Sequence, residues 1–115
     1  ETKDMINLKL IRNMKKNAII INVARGPIIN EADLYIALKN KLIRGAIIDV
    51  WYNYPQNGSS KKLYPSKYPL HQLDNVTLSP HSSAWSHQLW DRRFKFICEN
   101  LENLYNNRRL KNIVS

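Results

Sequence analysis

The segment AIIINVARGP at residues 18–27 decides the fold, because it joins an apolar run directly to an arginine, a glycine and a proline. The consecutive isoleucines at 19–21 show no polar alternation, which is typical of a strand covered on both faces in a parallel sheet. The glycine and proline then end the strand. Ligands of open α/β sheets bind beyond the carboxyl ends of strands, so Arg25 either meets a bound anion there or is an exposed turn residue.

Downstream of this strand, the sequence predicts a helix and a second strand. Asn30 is a candidate N-cap for a helix over residues 31–41, and Gly45 is expected to end that helix. The apolar run at 46–50 predicts a strand parallel and adjacent to the first. That strand contains Asp49, which is costly among apolar neighbours unless it is hydrogen-bonded or faces a ligand. We expect the ligand contact.

Three further segments complete the predicted architecture. Residues 4–14 have helical spacing and lead into the first strand, and residues 76–78 form a minimal third strand. Residues 51–75 are rich in proline, serine and aromatic residues and predict a long loop. A long helix is expected from about Trp85 to Asn107, with an apolar stripe that packs in the core and with Cys98 as a buried thiol.

Composition limits the class of protein. The chain has 115 residues, one cysteine and a formal net charge of +9. No run has the roughly 20 apolar residues of a membrane span, and the first residues lack a signal-peptide layout, so a soluble cytoplasmic protein is expected. A basic nucleic-acid-binding module is an alternative, but the basic residues are scattered pairs and no binding signature accompanies them.

The ends of the three predicted strands carry Arg25, Asp49 and His81. The carboxyl ends of parallel strands lie along one edge of a sheet, so a cation, an acid and a titratable imidazole are expected to converge there. A histidine in that setting is a candidate general acid/base.

Four motifs in order resemble the C-terminal half of the D-isomer-specific 2-hydroxyacid dehydrogenases. They are NVARG at 22–26, NEAD at 30–33, GAIIDVW at 45–51 and LDNVTLSPH at 73–81, and the resemblance covers essentially the whole chain. It implies an α/β, partial Rossmann-type fold of about three parallel strands with flanking helices and a long C-terminal helix. Residues 1–115 would form a single partial domain, in which the helix from about residue 85 returns toward a substrate domain.

The resemblance also implies an activity, which is hydride transfer between NAD or NADP and a small 2-hydroxy or 2-oxo acid. Arg25 matches the arginine that holds the substrate carboxylate, and His81 matches the acid/base. Positions that match the surroundings of the nicotinamide are Val23, Ala24, Arg25, Asp49, His81, Ser82, Ser83 and Ala84. The family implies a homodimer at full length. Neither the substrate nor the choice between NAD and NADP follows from the sequence.

Two departures from the family limit this transfer of roles. Most members have a glutamate five residues after the aspartate, where it hydrogen-bonds the histidine, and this chain has Tyr54 there. Without a carboxylate neighbour His81 is expected to be a weaker base, unless Tyr54 hydrogen-bonds to it. There is also no Gly-x-Gly-x-x-Gly turn for a pyrophosphate, so the first half of the cofactor domain is expected either upstream of Glu1 or on a separate polypeptide. An inactive, cofactor-sensing scaffold with the same fold is therefore a further alternative.

Overall fold

The computed structural model describes residues 2–55 and 63–114, which divide into two compact units, Glu1–Ser83 and Ala84–Ser115. The first unit contains a three-stranded parallel sheet in the order β1-β2-β3. Its strands are β1 (Ile19–Asn22), β2 (Gly45–Ile48) and β3 (Val76–Leu78), and its helices are α1 (Leu8–Arg12) and α2 (Glu31–Lys39). The predicted parallel pairing of the first two strands, and the third strand, are confirmed.

The register of the sheet aligns the three strand ends. Asn22 pairs with Ile48, and Ile48 pairs with Leu78, so the chain leaves each strand at the same edge. All functional residues predicted from the sequence lie in or beyond this row. Parallel pairing with an aligned register is therefore what brings the candidate residues together.

One face of the sheet is covered and the other is not. Both helices contribute to a single apolar cluster with the inward-facing residues of β1 and β2. The buried members of that cluster are Ile11, Ile20, Ile29, Leu34, Ala37, Leu38, Ile43, Ala46, Ile48 and Leu70. On the opposite face, Ile19, Ile21 and Val23 are between 49% and 62% exposed. The expectation that β1 is covered on both faces is wrong for the described chain, because both helices pack against the same face.

The helices differ from their predicted bounds for local reasons. Helix α1 begins only at Leu8, because Asn7 caps it, and the residue before that cap, Ile6, is instead bridged to Ile29. The cap of α2 is confirmed, since the Asn30 side chain accepts a hydrogen bond from the Asp33 N–H. The end of α2 is not the predicted one. It stops at Lys39, and Gly45 is the first residue of β2, where a side chain would overlap the backbone of Asn75.

The predicted loop over 51–75 contains one short 3₁₀ turn, Leu70–Gln72, in its described part. Residues 56–62 of that loop lie outside the described residues. Within residues 2–55 and 63–114, no helix combines the length and the apolar character needed to cross a bilayer.

The second unit consists of α3 (Leu89–Tyr105) and the chain that follows it. A Lys111–Glu99 ion pair of 2.8 Å and a hydrogen bond from the Lys111 N–H to Asn100 hold that following segment against the helix. No side chain of α3 is buried, and Cys98 is exposed. The predictions of a core-packed stripe and of a buried thiol are both wrong for this chain, because residues 84–114 supply no layer that covers the apolar side of α3.

Candidate active site

The loop after β1 is shaped by Asn22. This residue is buried, and its side chain hydrogen-bonds to both sides of the turn: Oδ1 accepts from the Ala24 N–H at 3.2 Å and Nδ2 donates to the Arg25 carbonyl at 3.0 Å. The polar amide in an apolar strand thereby fixes the backbone from which Arg25 emerges. The guanidinium is exposed, and Nη1 donates to the Ala24 carbonyl at 2.6 Å.

Gly26 allows the loops after β1 and β2 to approach each other closely. A Cβ atom on Gly26 would overlap the carbonyl group of Trp51, which is backbone and cannot rotate away. Glycine is the one residue that leaves room for such an approach. The arginine-bearing loop is thus locked against the segment that carries Trp51 and Tyr54.

Asp49 is 1% exposed, and its carboxylate organises the loop after β3. It accepts hydrogen bonds from the hydroxyl groups of Ser79 and Ser83 and from the backbone N–H groups of Ser82 and Ser83. Hydrogen bonds within the protein therefore compensate for the free-energy cost of burying this acid. Contact with a ligand, which we expected from the sequence, stays a prediction.

The charge of Asp49 is stabilised by these partners. Burial acts to raise the pKa of Asp49, but the hydrogen bonds from Ser79, Ser83 and Ser82 outweigh burial and hold the pKa well below its ordinary value. The carboxylate is therefore ionised throughout the physiological range. It forms a fixed negative charge under the residues that follow His81.

His81 is held in an unusual backbone conformation beside Tyr54. Its φ angle is +59°, in the left-handed region, which costs an L-residue about 1–2 kcal/mol. Histidine is among the residues that adopt this conformation more often than most, and such strain is common at functional positions. The hydrogen bonds that Asp49 accepts from the next two residues, Ser82 and Ser83, hold the turn in place.

The side chain of His81 has a hydrogen-bonding partner at the position where the sequence lacks the family's glutamate. Nδ1 of His81 lies 3.1 Å from the Tyr54 hydroxyl, and that hydroxyl accepts a hydrogen bond of 3.0 Å from the Trp51 N–H. The Trp51 indole Nε1 donates to the Ser79 carbonyl at 3.2 Å. The loops after β2 and β3 are therefore tied together on both sides of the imidazole.

Arg25 and His81 share the edge without touching each other. Neighbouring strands are about 4.8 Å apart, so the ends of β1 and β3, on either side of β2, are about 10 Å apart. Within the described chain, the hydrogen bond formed by the Arg25 side chain is to Ala24, and that formed by the His81 ring is to Tyr54. The end of β2 thus lies between the strand end followed by a cation and the strand end followed by an imidazole. A small molecule with an anionic end and a proton-accepting end would fit that arrangement.

Three residues that the sequence reasoning did not assign a role help to build the site, namely Asn22, Trp51 and Ser79. Asn22 carried the same signal that identified Asp49, a polar side chain within an apolar strand. Trp51 acts through its backbone N–H and its indole, and Ser79 through its carbonyl and its hydroxyl, and no sequence pattern marks these contacts. Within residues 2–55 and 63–114, no three histidine, cysteine, aspartate or glutamate side chains gather in a way that could hold a metal ion.

Comparison with known proteins identifies the family. Residues 1–83 match the family model described as "D-isomer specific 2-hydroxyacid dehydrogenase, NAD binding domain". The chain is 38% identical over 101 residues to a glyoxylate reductase of Korarchaeum cryptofilum, which covers 88% of this chain and 28% of that protein. It is 35% identical to a D-3-phosphoglycerate dehydrogenase of Methanocaldococcus jannaschii, over 100% of this chain and 20% of that protein.

A solved structure agrees with the sequence relatives. The D-lactate dehydrogenase of Lactobacillus jensenii, determined with NAD+, superimposes with a TM-score of 0.75 at 28% identity, over 99% of this chain and 36% of that chain. The chain thus spans roughly a third or less of the length of these proteins. The parallel sheet, the residues along its carboxyl edge and the family match over residues 1–83 together show that this chain belongs to the D-isomer-specific 2-hydroxyacid dehydrogenase family.

Proposed function

We propose that this chain is the nicotinamide-proximal part of an NAD(P)-dependent oxidoreductase that interconverts small 2-oxo and 2-hydroxy acids. The observation that carries the proposal is the alignment of the three strand ends, which bring Arg25, Asp49 and His81 to one edge in a chain of this family. The rest of the dinucleotide-binding fold comes from sequence outside these 115 residues, as the greater length of the relatives suggests.

Arg25 binds the substrate carboxylate. The guanidinium is exposed on a loop that Asn22 and Gly26 hold in place, so little has to be ordered when the substrate arrives. Its planar fork suits a bidentate grip on a carboxylate. The internal bond to the neutral Ala24 carbonyl is replaced by a stronger one to an ionised carboxylate.

His81 transfers the proton to and from the oxygen on the carbon that the hydride reduces. A 2-oxo acid held by Arg25 presents its carbonyl oxygen across the end of β2, and Nε2 of His81 is the ring nitrogen that Tyr54 leaves free. The imidazole donates a proton to that oxygen during reduction and removes it during oxidation.

The residues of this edge suit one end of a dinucleotide and not the other. Val23 and Ala24 offer an exposed, largely apolar surface, and Ser82, Ser83 and Ala84 follow the histidine. Together with Ser82 and Ser83, whose N–H groups donate to the Asp49 carboxylate, this surface suits a ring that carries a carboxamide. No glycine-rich turn for a pyrophosphate is present, since the glycines are Gly26, Gly45 and Gly58. When bound, the nicotinamide supplies or accepts the hydride.

The test uses the complete gene product that carries this sequence, with NADH or NADPH and a panel of 2-oxo acids that includes glyoxylate. We expect Arg25→Ala to lower kcat/KM by about 10²-fold or more, because hydrogen bonds to charged groups contribute about 1.5–3 kcal/mol each. Arg44→Ala is the matched control, since Arg44 is also an exposed arginine of this unit but lies at the opposite, amino end of β2. Equal activity of the two variants would refute the assignment of Arg25.

The second candidate function is a cofactor-binding scaffold without turnover, which Tyr54 at the position of the usual glutamate favours. Such a protein would bind NADH or NADPH but oxidise neither with any member of the panel. The same assay therefore separates the two candidates, with cofactor binding measured by the fluorescence of the reduced nicotinamide.

A further inference from the structure

A continuous chain of hydrogen bonds, referred to below as the line, ends at the His81 ring. The Trp51 N–H, the Tyr54 hydroxyl and Nδ1 of His81 follow each other at 3.0 Å and 3.1 Å. The rings of Tyr54 and His81 are tilted by 48° with their centres 5.7 Å apart, so they meet at their polar edges and do not stack. The first donor of the line is the backbone N–H of Trp51, which cannot rotate as a side chain can.

The direction of these bonds follows from the protons available. A backbone N–H can only donate, so the Tyr54 oxygen accepts from Trp51. The hydroxyl then has one hydrogen to donate, and accepting the first bond polarises it and strengthens it as a donor. Nδ1 is the acceptor within reach. A neutral imidazole that accepts at Nδ1 carries its proton on Nε2.

We propose that Tyr54 is a positioning residue for His81, which passes a hydrogen bond from the Trp51 N–H to Nδ1 and so keeps the neutral imidazole protonated on Nε2. A carboxylate at the same place would have the opposite effect, because it only accepts and therefore selects the tautomer with the proton on Nδ1. The identity of residue 54 thus decides which ring nitrogen carries the proton.

This assignment gives the neutral imidazole a route to act as an acid, and this part of the inference rests on the proposed function. As Nε2 gives its proton to the carbonyl oxygen of the substrate, Nδ1 takes the proton of the Tyr54 hydroxyl. The oxygen of Tyr54 becomes a phenolate that the Trp51 N–H stabilises, and solvent returns the missing proton because Tyr54 is 45% exposed. The substrate gains one proton and solvent loses one, so the protons balance.

Other charged groups near the line keep their charge while the imidazole changes. The Asp49 carboxylate, under the Ser82 and Ser83 N–H groups, stays ionised because its partners hold its pKa low. Arg25, on the loop after β1, is a guanidinium and stays protonated. A pH effect that is specific to Tyr54 therefore reports on the Tyr54–His81 pair.

The first test reads the tautomer directly and needs no catalysis. In the complete gene product labelled with ¹⁵N-histidine, we expect Nδ1 of His81 to have the chemical shift of an unprotonated ring nitrogen and Nε2 that of an N–H. Tyr54→Phe should give a mixture of tautomers, and Tyr54→Glu should invert the two signals. Tyr105→Phe, at an 88% exposed tyrosine of α3, should leave them unchanged. A proton on Nδ1 in the natural protein would overturn the proposal.

The second test is the pH dependence of reduction. With Tyr54→Phe, no hydroxyl can resupply Nδ1, so the proton must come from an imidazolium; the rate should fall as the pH rises, while the natural enzyme declines less. We expect the ratio of natural to variant kcat to grow with pH from near one to about 10², the low end of what general acid catalysis contributes. A ratio that does not change with pH would overturn the relay. If the natural protein reduces no 2-oxo acid, the proposed function fails, and the ¹⁵N signals still decide the hydrogen bond.

Discussion

The carboxyl edge of the sheet and the open face of the sheet differ in what the chain itself provides. At the edge, Asp49, Trp51 and Tyr54 all hydrogen-bond to other loops of the same unit. On the open face, Ile19 and Ile21 are 49% and 62% exposed. The polar geometry of the candidate site is therefore built within this unit, whereas residues 2–55 and 63–114 leave the apolar open face uncovered.

The largest effect that tests this contrast comes from two neighbouring isoleucines of β1. Ile20→Ala removes a side chain that is 7% exposed and should lower the free energy of unfolding by about 2–4 kcal/mol. Ile21→Ala, on the open face, should change it by less than about 1 kcal/mol. Denaturant unfolding of the 115-residue chain gives both values.

The losses of unfolding free energy for the same two variants can also be compared in the complete gene product. If further sequence covers the open face there, Ile21→Ala becomes costly as well, and the two effects approach each other. Equal losses in the 115-residue chain itself would show that the open face is already covered and would contradict the described arrangement.

The next effect concerns Asp49, which holds the loop that carries His81. Asp49→Asn replaces a carboxylate that accepts from four donor groups with an amide that also donates, so we expect a lower melting temperature at neutral pH. The pKa of Asp49 is lowered by folding, so its stabilising effect is complete above the unfolded pKa of about 4 and is lost as the pH falls through the lower folded value. The gap between the natural chain and the variant should therefore narrow below about pH 4.

Thermal unfolding followed by circular dichroism from acidic to neutral pH measures this gap. Asp74→Asn is the control, because Asp74 forms only an exposed ion pair with Lys41. A gap that stays constant down to the lowest pH would mean that ionised Asp49 does not stabilise the loop.

The smallest of the three effects is expected at Gly26. Gly26→Ala forces the loops after β1 and β2 apart, at a cost of about 1–3 kcal/mol. The displaced loop carries Arg25, so binding of a 2-oxo acid should weaken more than binding of the cofactor. Arg44→Ala, at an exposed position at the amino end of β2, is the control. Undiminished stability in Gly26→Ala would show that the two backbones can separate freely.

The sequence predicts the edge of the sheet better than it predicts burial. The apolar runs around Ile20 and Ile48 and the short run before Ser79 identify the strands, because local patterns encode secondary structure. Whether Ile21 or Cys98 is buried depends on which other surface packs there, and a local pattern contains no such information. For that reason the prediction of a strand was confirmed at β1 and the prediction of its two-sided burial was wrong.

In the candidate site, the sequence identified the functional side chains but not the backbone groups that hold them. His81 and Arg25 were found because their side chains follow apolar strands, and Tyr54 was found because it stands where a glutamate is usual. Several of the groups that hold the loops are backbone groups, namely the Trp51 N–H, the Ser79 carbonyl and the N–H groups of Ser82 and Ser83. Backbone groups occur in every residue, so only the folded geometry identifies those that matter.

The central claim, that this edge performs proton transfer during hydride transfer, is tested most directly at His81 in the complete gene product. The measurement is kcat/KM for NAD(P)H-dependent reduction of the best 2-oxo acid, comparing His81→Asn with His87→Asn. Asparagine also tolerates the left-handed backbone of residue 81, so the loop is kept. We predict a loss of about 10²–10⁴-fold for His81→Asn and little change for His87→Asn. Equal activities of the two variants would contradict the account.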